Sequence, residues 1–320
     1  MKPGVLYALV LLTACSSNSN GGNPATGTDS GAKPSDTSVG DVDPDVDPDA
    51  AEPECDPTVD HPAGAVCVHQ IRGKVVAQDG TALPSVIVSV CGSVCYFSRT
   101  GDDGYFVAHV GELIVPARFQ VLVHGRPDYA SSYTRLTVAP IGLNMEMPAP
   151  LAVPKYDATG PIMPADGAPA ATVTAGDVTL SIPGGTELDL DVEDVANGDE
   201  GRRFRSVKWT SATPPDFVAG ENVLQLYALA PFAAKTCTKR PCDDTNLVKM
   251  AVTLPNATSL TAGTVVEFIT LGTDLYGPPV TIGQLLVAGT GKVSADGKTI
   301  TSDPGEGITV MSFVGVRVKK

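Results

Sequence analysis

The sequence has few aromatic residues, few histidines and no long apolar run near its start, and each shortage excludes a class of protein. Aromatic residues make up 5% of the 320 positions, with Trp209 as the only tryptophan. The four histidines form no His-x-His or His-x3-His pair, so they predict no metal site. The apolar run Val5–Leu12 has eight residues, whereas a membrane-spanning helix needs about 20.

Charge and motifs exclude further classes. The net charge is −14, and no basic stripe is present, which argues against a nucleic-acid partner. No nucleophile elbow, His-Glu-x-x-His, phosphate loop or dinucleotide fingerprint occurs. The sequence therefore predicts no catalytic residues and no cofactor.

Turn-forming residues and short alternating runs are plentiful. There are 33 glycines and 27 prolines, and valine, threonine and isoleucine recur in brief alternating segments. Stretches rich in Ala, Leu, Glu and Lys, which would favour helices, are missing. This pattern predicts an all-β protein with two β-sandwich-type modules in tandem.

The start of the chain combines a positive charge at Lys2, the short apolar run and the sequence Leu12-Thr13-Ala14-Cys15. These residues resemble the signal peptide and lipobox of bacterial lipoproteins. The resemblance implies that residues 1–15 end at a lipidated Cys15, which becomes the first residue of the mature protein. Several acyl chains would then hold it in the cell envelope, and Ser16 favours the outer membrane.

Residues 16–66 are predicted to be a disordered acidic linker. Between residues 16 and 60 there are eleven acidic residues and one lysine, including the repeat Asp41-Val-Asp-Pro-Asp45-Val-Asp-Pro-Asp49. Such a segment buries too little apolar surface to offset its ordering entropy. A calcium loop is the alternative, but the glycine and the closing glutamate of an EF-hand are missing.

Seven cysteines are an odd number for an exported protein. Lipidation of Cys15 leaves six, and these fall into three pairs that are close in sequence. The pairs are Cys55 with Cys67, Cys91 with Cys95, and Cys237 with Cys242. Disulfides in an oxidising compartment are the favoured interpretation. The alternatives are a four-cysteine zinc site from the last two pairs, or free thiols.

Residues 67–148 show the order of turns and strands of a known fold. Gly73, Val75, Asp79-Gly80, Pro84, Val88 and Val90 are followed by Thr100, Asp103-Gly104 and Phe106. This pattern resembles the carboxypeptidase regulatory-like domain, and the resemblance implies a transthyretin-like β-sandwich. It covers only an accessory domain of those enzymes and implies no peptidase activity.

The Pro/Ala/Gly-rich segment 149–171 is predicted to be a linker, and residues 172–320 a second β module. Gly176-Asp-Val-Thr-Leu-Ser-Ile-Pro-Gly-Gly-Thr186 is similar to the opening of ZU5-like domains. From Glu187 to Glu193, acidic residues alternate with Leu188, Leu190 and Val192, which predicts a strand with one acidic face. That face could instead bind calcium, but parallel side chains do not converge on an ion.

Three functions are consistent with these features. The favoured one is a non-catalytic structural, adhesive or protein-binding surface lipoprotein that docks another envelope protein. The alternative is a glycan- or peptidoglycan-binding module, because Tyr96, Phe97, Tyr105, Tyr129 and Tyr133 are predicted to cluster in the loops of the first module. For Trp209, a core position is favoured over a sugar platform. The weakest alternative is a hydrolase with an unrecognised site.

Overall fold

Strands dominate the part of the chain that the computed structural model describes. This part is Cys55 and residues 62–319, without residues 93, 126, 137–139, 211–214 and 275–281. It contains 21 strands, and its only helices are α1 (Val192–Ala196), α2 (Gly198–Gly201) and two single 3-10 turns at Pro116–Arg118 and Asp216–Val218. The predicted all-β class is confirmed. None of the helices in these residues is long and apolar enough to cross a bilayer.

The first eight strands form two facing sheets, which we call the N-terminal sandwich. They are β1 (Val66–Ala77), β2 (Ile87–Cys91), β3 (Cys95–Arg99), β4 (Tyr105–Ile114), β5 (Gln120–His124), β6 (Ser132–Arg135), β7 (Asn144–Glu146) and β8 (Leu151–Val153). One sheet has the order β4-β1-β7, with β8 also paired to β1, and the other has the order β3-β2-β5-β6. Pairing is antiparallel except for β7 and β8, which lie parallel to β1.

Alternation along these strands builds the core of the sandwich. Val88 and Val90 of β2 and Val121 and Val123 of β5 are buried in one apolar cluster with the inner residues of β1 and β4. The Asp103-Gly104 turn fits tightly beneath β1. Gly104 has φ +79°, and a Cβ there would lie 2.6 Å from a β1 carbonyl oxygen, so the turn requires glycine.

The remaining strands form what we call the C-terminal module. They are β9 (Ala158–Ile162), β10 (Ala171–Ala175), β11 (Val178–Ile182), β12 (Glu187–Asp189), β13 (Arg203–Lys208), β14 (Gln225–Ala230), β15 (Ala234–Cys237), β16 (Ala251–Pro255), β17 (Val265–Leu271), β18 (Leu285–Val293), β19 (Thr299–Ser302), β20 (Val310–Met311) and β21 (Phe313–Val318). Ten of them form one sheet of order β10-β11-β16-β19-β18-β17-β21-β14-β13-β9. Strands β12, β15 and β20 form a small second sheet.

The ten-stranded sheet curls until its two ends meet. The Ser206 hydroxyl of β13 donates to the Ala175 carbonyl oxygen of β10 at 2.6 Å. On β9, a Cβ at Gly160 would lie 2.8 Å from the Thr174 oxygen, so the close approach needs a residue without a side chain. The inner face of this sheet holds a continuous apolar core with Phe204 and Phe268 fully buried.

Two segments differ from the sequence-based expectations. The predicted linker 149–171 contains β8 and β9, because Leu151 and Val153 are buried against β1 and β9 pairs with β13. The alternating segment after Glu187 stays extended only to Asp189 and then becomes helical. The Asp191 carboxylate accepts the Glu193 N–H and caps α1, a local hydrogen bond that outweighs the period-two pattern.

Candidate functional site

The two halves of the described chain meet along an apolar seam. The outer face of β5 and β6 supplies Leu122 and Tyr133, which are cross-strand partners. From the C-terminal module, buried residues such as Phe217, Phe232 and Phe313 pack in the same cluster. The rings of Tyr133 and Phe232 lie 5.8 Å apart. Burial of several aromatic rings holds the halves together as one unit.

A cavity of about 460 Å³ opens at the edge of this seam. It lies at the boundary between the N-terminal sandwich and the C-terminal module. On the sandwich side, it is bounded by β6 and by the segment that leads into β8. Its wall is largely apolar, and its lining includes Met147, Pro150, Leu151, Thr134, Trp209 and Asp216. Cavities of this size and composition are typical of small-ligand sites.

Trp209 is placed at this cavity by the end of β13. Its backbone N–H donates to the Leu226 carbonyl oxygen at 2.8 Å, which continues the β13–β14 ladder. The indole packs against Phe313 at a ring distance of 6.0 Å, so it is supported by the seam and also lines the cavity. The sequence favours a core position for Trp209, and in the structure Trp209 both packs in the seam and lines the cavity.

Polar side chains stand at the rim of the cavity. Asp216 accepts the backbone N–H of Arg135 at 2.8 Å, a contact that occupies part of the free edge of β6. Much of the Asp216 residue is exposed, but its carboxyl group lies against β6. The loss of water around the carboxyl group raises its pKa. The Thr210 hydroxyl donates to Gln78 Oε1 at 3.2 Å, across the same boundary between the halves.

A second polar group crosses the seam. Ser89 Oγ lies 3.0 Å from His124 Nε2, and His124 Nδ1 lies 3.3 Å from Glu193 Oε2. This is the connectivity of a Ser-His-acid triad. No sequence motif signals it, because the three residues come from β2, β5 and α1, which only the fold brings together.

The surroundings of Ser89 do not suit a nucleophile. The residue is 1% exposed and lies in β2, which is paired with β3 on one side and β5 on the other. Its backbone and that of Val90 belong to these ladders, so no free pair of N–H groups faces the hydroxyl as an oxyanion hole would require. The arrangement instead satisfies a buried serine and links the two halves by hydrogen bonds.

The six cysteines predicted to pair do so. Disulfides join Cys55 to Cys67, Cys91 to Cys95, and Cys237 to Cys242. The second closes the end of the β2–β3 hairpin, where the two cysteines are register partners. The zinc alternative for the last two pairs is therefore wrong in this structure. His69 lies near Cys55 and Cys67, but those sulfurs are bonded to each other.

The five aromatic residues considered as a sugar platform differ in their exposure. Tyr133 is 6% exposed and belongs to the seam. Tyr96 stacks on Phe119, and Tyr129 packs against the sandwich core. Phe97 and Tyr105 are exposed, at 67% and 53%, on β3 and β4, which are edge strands of the two sheets and are joined by the Ser98 hydroxyl donating to the Val107 carbonyl oxygen at 2.7 Å. The acidic residues after Glu187 are likewise divided between β12 and α1.

Comparison with known proteins adds no relative. No protein-family model, curated protein or solved structure matches the chain. The resemblances to the carboxypeptidase regulatory-like and ZU5-like domains stay predictions. Cys15, the lipobox and the acidic repeat lie outside the described residues.

Proposed function

We propose that this chain is a lipoprotein anchored in the bacterial cell envelope and that its two β modules act together as a non-catalytic binding protein. The lipobox at Cys15 supports the anchor, and three disulfides are consistent with an oxidising compartment. The observation that carries the binding role is the cavity beside Trp209, which both halves of the fold contribute to.

The anchor is tested by mass spectrometry of the full-length protein isolated from membranes. We expect an N-terminal peptide that begins at an acylated Cys15. The Cys15→Ala variant should lose both the acyl mass and the membrane association. Wild-type protein that is soluble and unmodified at Cys15 would overturn this part of the proposal.

The binding role is tested by the emission of Trp209, the only tryptophan of the chain, after the emission of each added fraction alone has been subtracted. Fractionated envelope components are titrated into the full-length protein. A saturable change in emission is expected from at least one fraction. The matched control is Phe97→Ala, which removes an exposed aromatic residue outside the cavity and should leave the response intact.

A serine hydrolase is the second candidate, because Ser89, His124 and Glu193 have triad connectivity. A fluorophosphonate probe reacts with an activated, accessible serine. Since Ser89 is 1% exposed, we expect no labelling of the native protein. Labelling that disappears in Ser89→Ala would favour the hydrolase over the binding protein.

A further inference from the structure

The cavity beside Trp209 combines one aromatic wall with a rim of hydrogen-bonding side chains. The rim carries Thr134 and Arg135 from β6, Gln78 from the turn after β1, and Asp216 from a 3-10 turn. The Arg135 guanidinium and the Asp216 carboxylate are planar groups that can each bond two neighbouring hydroxyls. A ligand that matches this site has an apolar face and several hydroxyl groups.

The charges at the rim indicate the charge of the ligand. Arg135 contributes one positive charge and Asp216 one negative charge, so the pair presents no net charge to a ligand between them. An anionic or cationic ligand would be attracted by one of these groups and repelled by the other, so no net attraction would offset the cost of desolvating its charge. The rim therefore favours a neutral ligand.

The edge of β6 argues against an extended peptide. A peptide that added a strand to this edge would need its free backbone donors and acceptors. The outward N–H of Arg135 already donates to Asp216 Oδ2 at 2.8 Å, so strand addition is blocked at that position. Recognition must instead use side chains and the apolar wall.

We propose that the inter-module cavity binds a short neutral glycan, with its apolar ring face against Trp209 and its hydroxyls at Arg135 and Asp216. The inference rests on the proposed binding function and names the ligand class of that site. It covers free oligosaccharides and the sugar chains of envelope glycolipids, which share this chemistry.

The test uses the full-length protein with neutral trisaccharides of glucose, mannose and N-acetylglucosamine. A galacturonic acid trimer and an uncharged tetrapeptide are the comparison probes. We expect a saturable change in Trp209 emission with at least one neutral sugar and a response at least about tenfold weaker to the charged trimer. Delipidated glycolipid sugar chains, compared with vesicles that contain the intact glycolipid, distinguish the two sources.

Variants locate the site by calorimetry, since replacing Trp209 removes the fluorophore. Asp216→Asn keeps an oxygen that can accept the Arg135 N–H but loses the charge, and it should weaken binding about tenfold. Trp209→Phe keeps an aromatic ring against Phe313 and should also weaken it about tenfold. Phe97→Ala and Tyr105→Ala should bind like the wild type.

Three other results would contradict the inference, and each would have a different meaning. If the tetrapeptide binds and no sugar does, the cavity remains a binding site and the glycan assignment is wrong. If sugar binding is lost in Phe97→Ala but kept in Asp216→Asn, the site lies elsewhere. If no probe and no envelope fraction changes Trp209 emission, the binding role itself fails, whatever the state of Cys15.

Discussion

Replacing Tyr133 by alanine should loosen the seam that joins the two halves of the fold. Tyr133 is 6% exposed, and its ring lies 5.8 Å from that of Phe232, which is 2% exposed. Truncating a buried aromatic side chain costs about 3 kcal/mol or more, because transfer energy is lost and a cavity remains. Part of this loss is the aromatic pair, which contributes about 1 kcal/mol.

The assay is guanidinium denaturation followed by Trp209 emission and by far-UV circular dichroism. With a denaturant dependence of about 5 kcal/mol/M for a unit of this size, the loss lowers the midpoint by about 0.6 M. Trp209 packs on Phe313 in the same seam, so its emission should shift at least as much as the dichroism signal.

The matched control is Tyr105→Ala, which makes the same chemical change at a residue that is 53% exposed. Tyr105 loses a cation–π contact with Lys74 Nζ, 5.0 Å from the ring centre, which contributes less than about 1 kcal/mol. If both variants shift the midpoint equally, or if Tyr133→Ala leaves it unchanged, the seam does not stabilise the fold in the way described.

Three further predictions concern the scaffold and the rim. Gly104→Ala should lower the free energy of unfolding by about 2 kcal/mol or more, because its new Cβ would collide with the backbone. Gly80→Ala, with a similar φ of +87° but no atom within 4 Å of its new Cβ, should lower it by about 1 kcal/mol. Thermal unfolding measures the difference, and equal losses would show that the steric contact at Gly104 is not decisive. Cys242→Ser removes the disulfide with Cys237 and should lower the free energy of unfolding by about 2 kcal/mol under oxidising conditions. Under reducing conditions, the variant and the wild type should have the same free energy of unfolding. Because the folded state raises the pKa of Asp216, it holds that proton more tightly than the unfolded chain, so this carboxyl lowers stability as the pH rises above about 4. Asp216→Asn should therefore gain stability relative to the wild type as pH increases, and a difference that is constant with pH would refute this interpretation.

The resemblance at residues 67–148 illustrates what a turn pattern can predict. Asp79-Gly80 and Asp103-Gly104 mark turns because glycine adopts their positive φ without a steric penalty, and both turns are present. The β18–β19 hairpin at Asp296-Gly297 follows the same rule, with Ser294 N–H donating to the Thr299 oxygen. These signals are local, so they can be read without the fold.

The predicted linker 149–171 shows that composition alone does not reveal a strand that pairs with a distant partner. Composition alone gives residues 149–171 a loop-like appearance, yet Leu151 and Val153 are buried because β1 offers an unpaired edge to them. Likewise, Val192 is 77% exposed although alternation predicts it to be an inward strand residue. Its place in α1 follows from the Asp191 cap, a competing local hydrogen bond.

The sequence by itself determines the strand-rich class and the hairpin turns, and it favours the pairing of neighbouring cysteines that the structure then shows. Each of these depends on residues that are close along the chain, so alternation, glycine conformation and spacing are enough. Only the tertiary structure decides that Trp209, Asp216 and Arg135 meet at one cavity, and that Ser89, His124 and Glu193 align across the seam. Arg135 and Asp216 are 81 residues apart and His124 and Glu193 are 69 residues apart, and the packing of the two apolar faces brings them together.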